Sequence, residues 1–241
     1  MDFSVFLQAE NLIALGTLTV LEIILGVDNI LFISIISEKL PKEQQPKARV
    51  VGLALALIFR LALLLMISWL VHFTEPLFTL FDQGFSGRDL ILFAGGVFLL
   101  VKTISEIHHK VEGPEEETVV KAKPRSFGGV VGMIILIDMV FSFDSILTAV
   151  GMVSEISIMI VAVVIAMVVM LVFVNKISRI ISNHPSIQML ALSFLILIAF
   201  VLILDGLHKH IERGYVYFAL FFSLIVEVLN IRSRKNRKKP A

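Results

Sequence analysis

The stretch Leu21-Glu22-Ile23-Ile24-Leu25-Gly26-Val27-Asp28-Asn29-Ile30-Leu31 sets two carboxylates and a carboxamide inside an apolar run that extends from about Leu12 to Ile36. A run of that length crosses about 30 Å of hydrocarbon as a helix. A carboxylate near the middle of such a helix costs roughly 2.5–3.5 kcal/mol even on a lenient insertion scale. The pattern returns as Ile137-Asp138-Met139-Val140-Phe141-Ser142-Phe143-Asp144-Ser145-Ile146-Leu147: acid, five residues, acid, small polar residue, Ile-Leu. Four intramembrane acids carry a penalty on the order of 10 kcal/mol before compensation, which points to a functional role rather than to ancestry alone.

Six further apolar runs follow the first, at about Val50 to Phe73, Leu90 to Ile107, Phe127 to Met152, Ile156 to Val174, Ile187 to Leu204 and Tyr215 to Ile231. With 57% of the residues hydrophobic and only 17% charged, the chain is too apolar for a soluble domain of its size. The expectation is an all-α polytopic membrane protein of seven transmembrane helices. Too little sequence remains between the runs for a nucleotide-binding or catalytic unit outside the bilayer. The first run is long enough to be retained as a span, and Met1 to Glu10 has no basic segment of the kind that opens a cleaved signal peptide.

The charges are sorted by loop. Lys39, Lys42, Lys47 and Arg49 follow helix one; Lys110, Lys121, Lys123 and Arg125 follow helix three; Lys176 and Arg179 follow helix five; six more lie in the tail from Arg232 to Lys239. The opposite side has only Arg88, Lys209 and Arg213, a tally of 16 against 3. The positive-inside rule therefore predicts an external N-terminus and a cytoplasmic C-terminus, which an odd number of spans permits. The absence of cysteine excludes disulfides, thiolate metal sites and cysteine nucleophiles.

The recurrence in helices one and four has a weaker echo in helices three and six, where Glu106-Ile107-His108-His109-Lys110 resembles Asp205-Gly206-Leu207-His208-Lys209. Three helices per copy reverse the second copy in the membrane, so the pattern predicts two inverted three-helix repeats plus a seventh helix, an arrangement that places transporter substrates near the midplane. The divisions are residues 1–110, a cytoplasmic linker at 111–126, a second repeat at 127–210, and a seventh helix with a basic tail at 211–241. The linker carries Glu112, Glu115, Glu116 and Glu117 and reads as a solvated connector. Gly128-Gly129-Val130-Val131-Gly132 permits close helix packing.

The candidate metal ligands are Glu22, Asp28, Asn29, Asp138, Asp144 and Ser145, all oxygen donors, a set suited to Mn²⁺, Mg²⁺ or Ca²⁺. Residues six apart on a straight helix are separated by roughly 240°. Either Gly26 distorts the helix, or Glu22 serves a neighbouring helix while Asp28 faces the site. Arg60 and Lys102 are the candidate intramembrane cations, read as charge-pairing partners, and protons would compete with metal for the same oxygens. The histidines His108, His109, His208 and His210 sit near helix ends and read as interfacial bystanders; Glu227 receives no role.

At these residues the sequence resembles the TerC family of integral membrane proteins, particularly its short bacterial inner-membrane members. The likeness is carried by Leu21 to Asn29, by Asp138 to Ser145, by Ala191 to Leu197 and by Gly214 to Ala219. The resemblance implies a fold shared with LysE-type exporters, residence in the bacterial inner membrane and efflux of Mn²⁺. The cytoplasmic regulatory domains fused to longer relatives have no counterpart here. The resulting expectation is a secondary transporter exporting a divalent cation in exchange for protons, with lipid and metal as its partners, no prosthetic group, no nucleic acid and no enzymatic activity. Two other readings compete: export of an organic cation or amino acid, and a non-transport membrane partner in envelope stress or secretion. The pattern specifies no oligomeric state.

Overall fold

The computed structural model describes residues 8–66, 74–80, 83–112, 126–153 and 155–237. Its helices are α1 (Ala9–Ser37), α2 (Gln45–Leu65), α3 (Gly87–Glu112), α4 (Phe127–Met152), α5 (Ile156–Asn183), α6 (Pro185–Gly206) and α7 (Arg213–Arg237). Among the described residues, seven helices are long and apolar enough to cross a membrane. Side chains such as Ile13, Ile58, Val101, Val172 and Phe218 remain exposed on the bundle's flanks, as a surface facing hydrocarbon requires.

Local chemistry sets several boundaries. The Ser126 hydroxyl accepts the Gly129 N–H at 3.1 Å and caps α4, and Pro185 opens α6 where its missing N–H costs nothing. Helix α5 runs beyond its predicted end to Asn183, so Lys176 and Arg179 lie on its last turns and only His184 separates it from α6. Helix α2 is described to Leu65; the remainder of its predicted run, residues 67–73, lies outside the described residues, as do linker residues 113–125 and tail residues 238–241.

Hydropathy did not anticipate a short antiparallel hairpin, β1 (Pro76–Leu80) with β2 (Gln83–Ser86), which leads directly into α3. A reciprocal cap locks that junction. Ser86 donates its backbone N–H and its hydroxyl to Asp89 Oδ2 at 2.8 and 2.6 Å, and Asp89 N–H returns a bond to Ser86 Oγ at 3.3 Å.

The bundle is built on α3 packed along α6, α1 along α5, and α2 against α4 and α5; α7 lies at the periphery, mainly against α6. Two glycines allow the α3–α6 approach. A Cβ at Gly96 would stand 2.8 Å from the Ala199 carbonyl oxygen, and one at Gly206 would stand 2.6 Å from that of Asp89. The Gly128–Gly132 pattern does not serve this purpose: Gly128 and Gly132 meet nothing within 4 Å. Helix α1 passes Gly26 unbroken, and the missing side chain there makes room for Met170 of α5.

Two ends of the bundle can be distinguished. At the amino-terminal face, α1, α3 and α7 begin and α4 and α6 end, enclosing a cavity of about 800 Å³. At the carboxy-terminal face, α1, α3 and α5 end and α2 and α6 begin around a second cavity of about 860 Å³.

Candidate functional site

The repeated acids are all buried, Glu22, Asp28 and Asp138 at 2% exposure and Asp144 at 5%. They fall into three groups rather than one. Glu22 of α1 and Asp138 of α4 share Arg60 of α2, whose Nη1 meets Glu22 Oε2 at 2.7 Å and whose Nη2 meets Asp138 Oδ1 at 3.3 Å. Arg60 Nε donates to Ser142 Oγ at 2.8 Å, Ser142 donates to Asp138 Oδ2 at 3.0 Å, and Asn29 Nδ2 donates to Asp138 Oδ1 at 2.9 Å. Desolvating three charges is tolerable only with this degree of mutual hydrogen bonding. The network ties α1, α2 and α4 together at the bundle centre and leaves one net negative charge when all three groups are ionised.

Asp28 points elsewhere. Its Oδ2 accepts the Tyr217 hydroxyl of α7 at 3.1 Å, while its Oδ1 has no hydrogen-bond partner among the described residues. The neighbouring Asn29 Oδ1 is likewise unpartnered. Glu22 and Asp28 therefore serve different neighbours on a continuous helix, as the angular separation of residues six apart requires. Two consecutive residues of α1 hold buried oxygen acceptors with nothing to accept from, an arrangement that is costly in a closed apolar core.

Asp144 lies at the amino-terminal cavity. Arg88 Nη2 reaches its Oδ1 at 2.5 Å and Arg213 grips its Oδ2. Arg213 also lies 3.7 Å from Asp205 Oδ2, and His210 Nδ1 is 3.1 Å from Asp205 Oδ1. Ser145 donates to the Ser142 carbonyl at 3.3 Å and lines the same cavity with Asp144, Asp205 and Tyr217. Helix α6 ends with His208 in the left-handed conformation, at φ 58°, which brings its Nε2 within 3.2 Å of Asp89 Oδ2.

Among the described residues, no three His, Asp or Glu side chains are gathered as a ready cation cage. The predicted ligands Asn29 and Asp138 touch directly, Glu22 joins them through Arg60, and Asp28 and Asp144 stand apart with Tyr217 and the arginine pair. Lys102 is away from all of them, its ammonium 5.8 Å over the Phe98 ring, and Glu106 one turn on is occupied by Lys39.

Sequence reasoning assigned no site role to Arg88, Arg213 and Tyr217. The arginines did carry a signal: with Lys209 they are the three cations on the face that the basic loops avoid. Tyr217 had none beyond lying in a segment of family likeness.

The sequence profile described as "Integral membrane protein TerC family" matches residues 7–240. The chain belongs to the TerC family. Within it, this TerC-family chain is 52% identical over 225 residues to "UPF0053 inner membrane protein YgdQ" of Escherichia coli strain K12, covering 93% of this chain and 94% of the relative. It is 44% identical over 229 residues to a "UPF0053 protein" of Haemophilus influenzae, covering 95% and 97%. The longer "UPF0053 inner membrane protein YoaE" of E. coli strain K12 is 49% identical over 220 residues, and the TerC-family unit spans 42% of its length. No solved structure matches the chain.

Proposed function

We propose that the chain is a secondary transporter of the bacterial inner membrane that exports a divalent cation, Mn²⁺ above others, by alternating access of two inverted halves. The observation that carries the reading is the pair of unpartnered buried oxygens, Asp28 Oδ1 and Asn29 Oδ1, inside a bundle whose repeated acids outnumber its internal cations. With every group ionised, Glu22, Asp28 and Asp138 against Arg60 give −3 + 1 = −2, and Asp144 and Asp205 against Arg88 and Arg213 give zero. One divalent cation balances the remainder. Hard oxygen donors without thiolate or thioether favour Mn²⁺ or Mg²⁺ over copper.

The packing supports the inverted repeat. Exchanging α1 with α4, α2 with α5 and α3 with α6 carries the α1–α5 contact into α2–α4 and the α1–α6 contact into α3–α4. It returns α3–α6, α2–α5 and α1–α4 to themselves, and each of these contacts exists. The same exchange sets Asp28 against Asp144. In this state the amino-terminal cavity reaches Asp144 and Tyr217. At the carboxy-terminal face the Lys39–Glu106 pair and the bonds of Lys110 and Gln188 to Glu38 join the helix ends, and none of the repeated acids lines the cavity there. With the N-terminus outside, the acidic site is reached from the exterior.

Arg88 and Arg213 then act as tethered cations on Asp144. They neutralise it when no ion is present, and an arriving cation must displace them, so loading and rearrangement of α3 and α7 are coupled. The volume of the cavity and its wall of Val20, Leu21, Ile24 and Leu25 favour a second reading, export of an organic cation whose ammonium group meets Asp144.

The test is total cellular manganese, magnesium, calcium and zinc after a manganese load, in cells lacking the protein and in cells expressing wild type or Asp28→Asn. Lower manganese with wild type alone supports the reading. Equal metal content in all three, with the protein present in the membrane, transfers it to the organic cation.

A further inference from the structure

The cavity at the carboxy-terminal face takes no part in the acidic site, and its chemistry is of opposite sign. Lys42, Arg49, Lys110 and Arg179 line it together with a single acid, Glu38, for a balance of 4 − 1 = +3. Glu38 is already engaged: Lys110 Nζ lies 3.3 Å from its Oε2, and Gln188 Nε2 donates to its Oε1 at 2.7 Å.

Arg49 is the informative member. It is buried, at 5% exposure, yet its guanidinium has only neutral partners: Ser37 Oγ at 2.7 Å from Nε, Asn175 Oδ1 at 3.5 Å from Nη1 and Gln45 Oε1 at 3.2 Å from Nη2. No carboxylate among the described residues forms an ion pair with it. Buried guanidinium groups are ordinarily matched by a carboxylate or a phosphate, because an unmatched buried charge is costly. Glu38, the cavity's one acid, acts on Arg49 only through space, its oxygens being taken by Lys110 and Gln188; topology accounts for basic residues on this face of the bundle, but it gives no reason to bury one of them beside an open cavity without a bonded counter-ion.

We propose that this cavity binds a phosphate group, with Arg49 as its buried anchor and Lys42 and Arg179 closing over it from the rim. Two sources share that chemistry, the headgroup of an anionic phospholipid entering from the adjoining leaflet and a free phosphate from the aqueous side. The volume of about 860 Å³ accommodates either.

The test uses the full chain purified in detergent. Native mass spectrometry counts retained phosphatidylglycerol against phosphatidylcholine, and thermal unfolding follows added inorganic phosphate. The variants are Lys42→Gln with Arg179→Gln, both exposed and therefore compatible with folding, and a control of equal charge change, Lys47→Gln with Arg232→Gln. The expected result is preferential retention of phosphatidylglycerol, or stabilisation by inorganic phosphate, weakened about thirtyfold in the rim variant and unaltered in the control. Which of the two responds identifies the source. A wild type that responds to neither, or a control that loses as much as the rim variant, overturns the proposal.

Discussion

Replacing Arg60 by Met removes the one cation shared by Glu22 and Asp138. Asp138 keeps its bonds from Ser142 and Asn29, but Glu22 loses its guanidinium partner and stays at 2% exposure. Breaking a buried ion pair by deleting one partner costs about 3–5 kcal/mol, because the surviving charge remains desolvated. For a chain of this size each kcal/mol lowers the unfolding midpoint by about 2–4 °C, so the expected fall is roughly 6–20 °C. Thermal unfolding of the detergent-solubilised protein, followed by loss of the monodisperse size-exclusion peak, measures it. Adding Glu22→Gln should recover a large part of the loss, since the double variant no longer buries that orphaned carboxylate. An Arg60→Met midpoint equal to wild type, or a double variant no better than the single one, would refute the assignment of Arg60 as the counter-ion of the central acids.

Asp28→Asn should abolish manganese export while leaving the amount of protein in the membrane unchanged, measured by metal content alongside immunoblotting of the membrane fraction. Arg213→Gln should free Asp144 of one tethered cation and strengthen cation binding at the amino-terminal cavity, read as a larger thermal stabilisation by added Mn²⁺ than wild type shows; an unaltered response would contradict the displacement step. Gly96→Leu should force α3 from α6 at the Ala199 carbonyl and cost about 1–3 kcal/mol, seen as a lowered unfolding midpoint, whereas Gly132→Leu, facing open space, should not. Because the chain has no cysteine, Glu10→Cys should react with a membrane-impermeant thiol reagent in intact cells and Arg232→Cys only after lysis.

The membrane fold was legible because its signals are local and additive. Each apolar run declares its own helix, and a carboxylate such as Glu22 in the middle of one stands out against the cost of burying it. The angular offset between Glu22 and Asp28 left two outcomes open, a helix distorted at Gly26 or different neighbours for the two acids, and the continuous α1 takes the second. Partnership was less accessible. Arg60 could be named as a counter-ion but not matched to Glu22 and Asp138 together, since that depends on how α2 packs between α1 and α4. Tyr217 reaches Asp28 across 189 positions of sequence, and nothing local marks such a contact. The hairpin at Pro76–Ser86 escaped because its strands are short and adjoin a strongly apolar helix, whereas its Ser86–Asp89 cap was present in the sequence as a capping pattern.

On the function proposed, the buried acids of α1 and α4 move a divalent cation across the bilayer. The most direct measurement is Mn²⁺ flux into or out of liposomes holding the purified full chain, with wild type, Asp28→Asn and Asp144→Asn compared at equal protein. The expected result is flux with wild type and none above protein-free liposomes with either variant. Equal flux in all three, or none with a correctly inserted wild type, would contradict it.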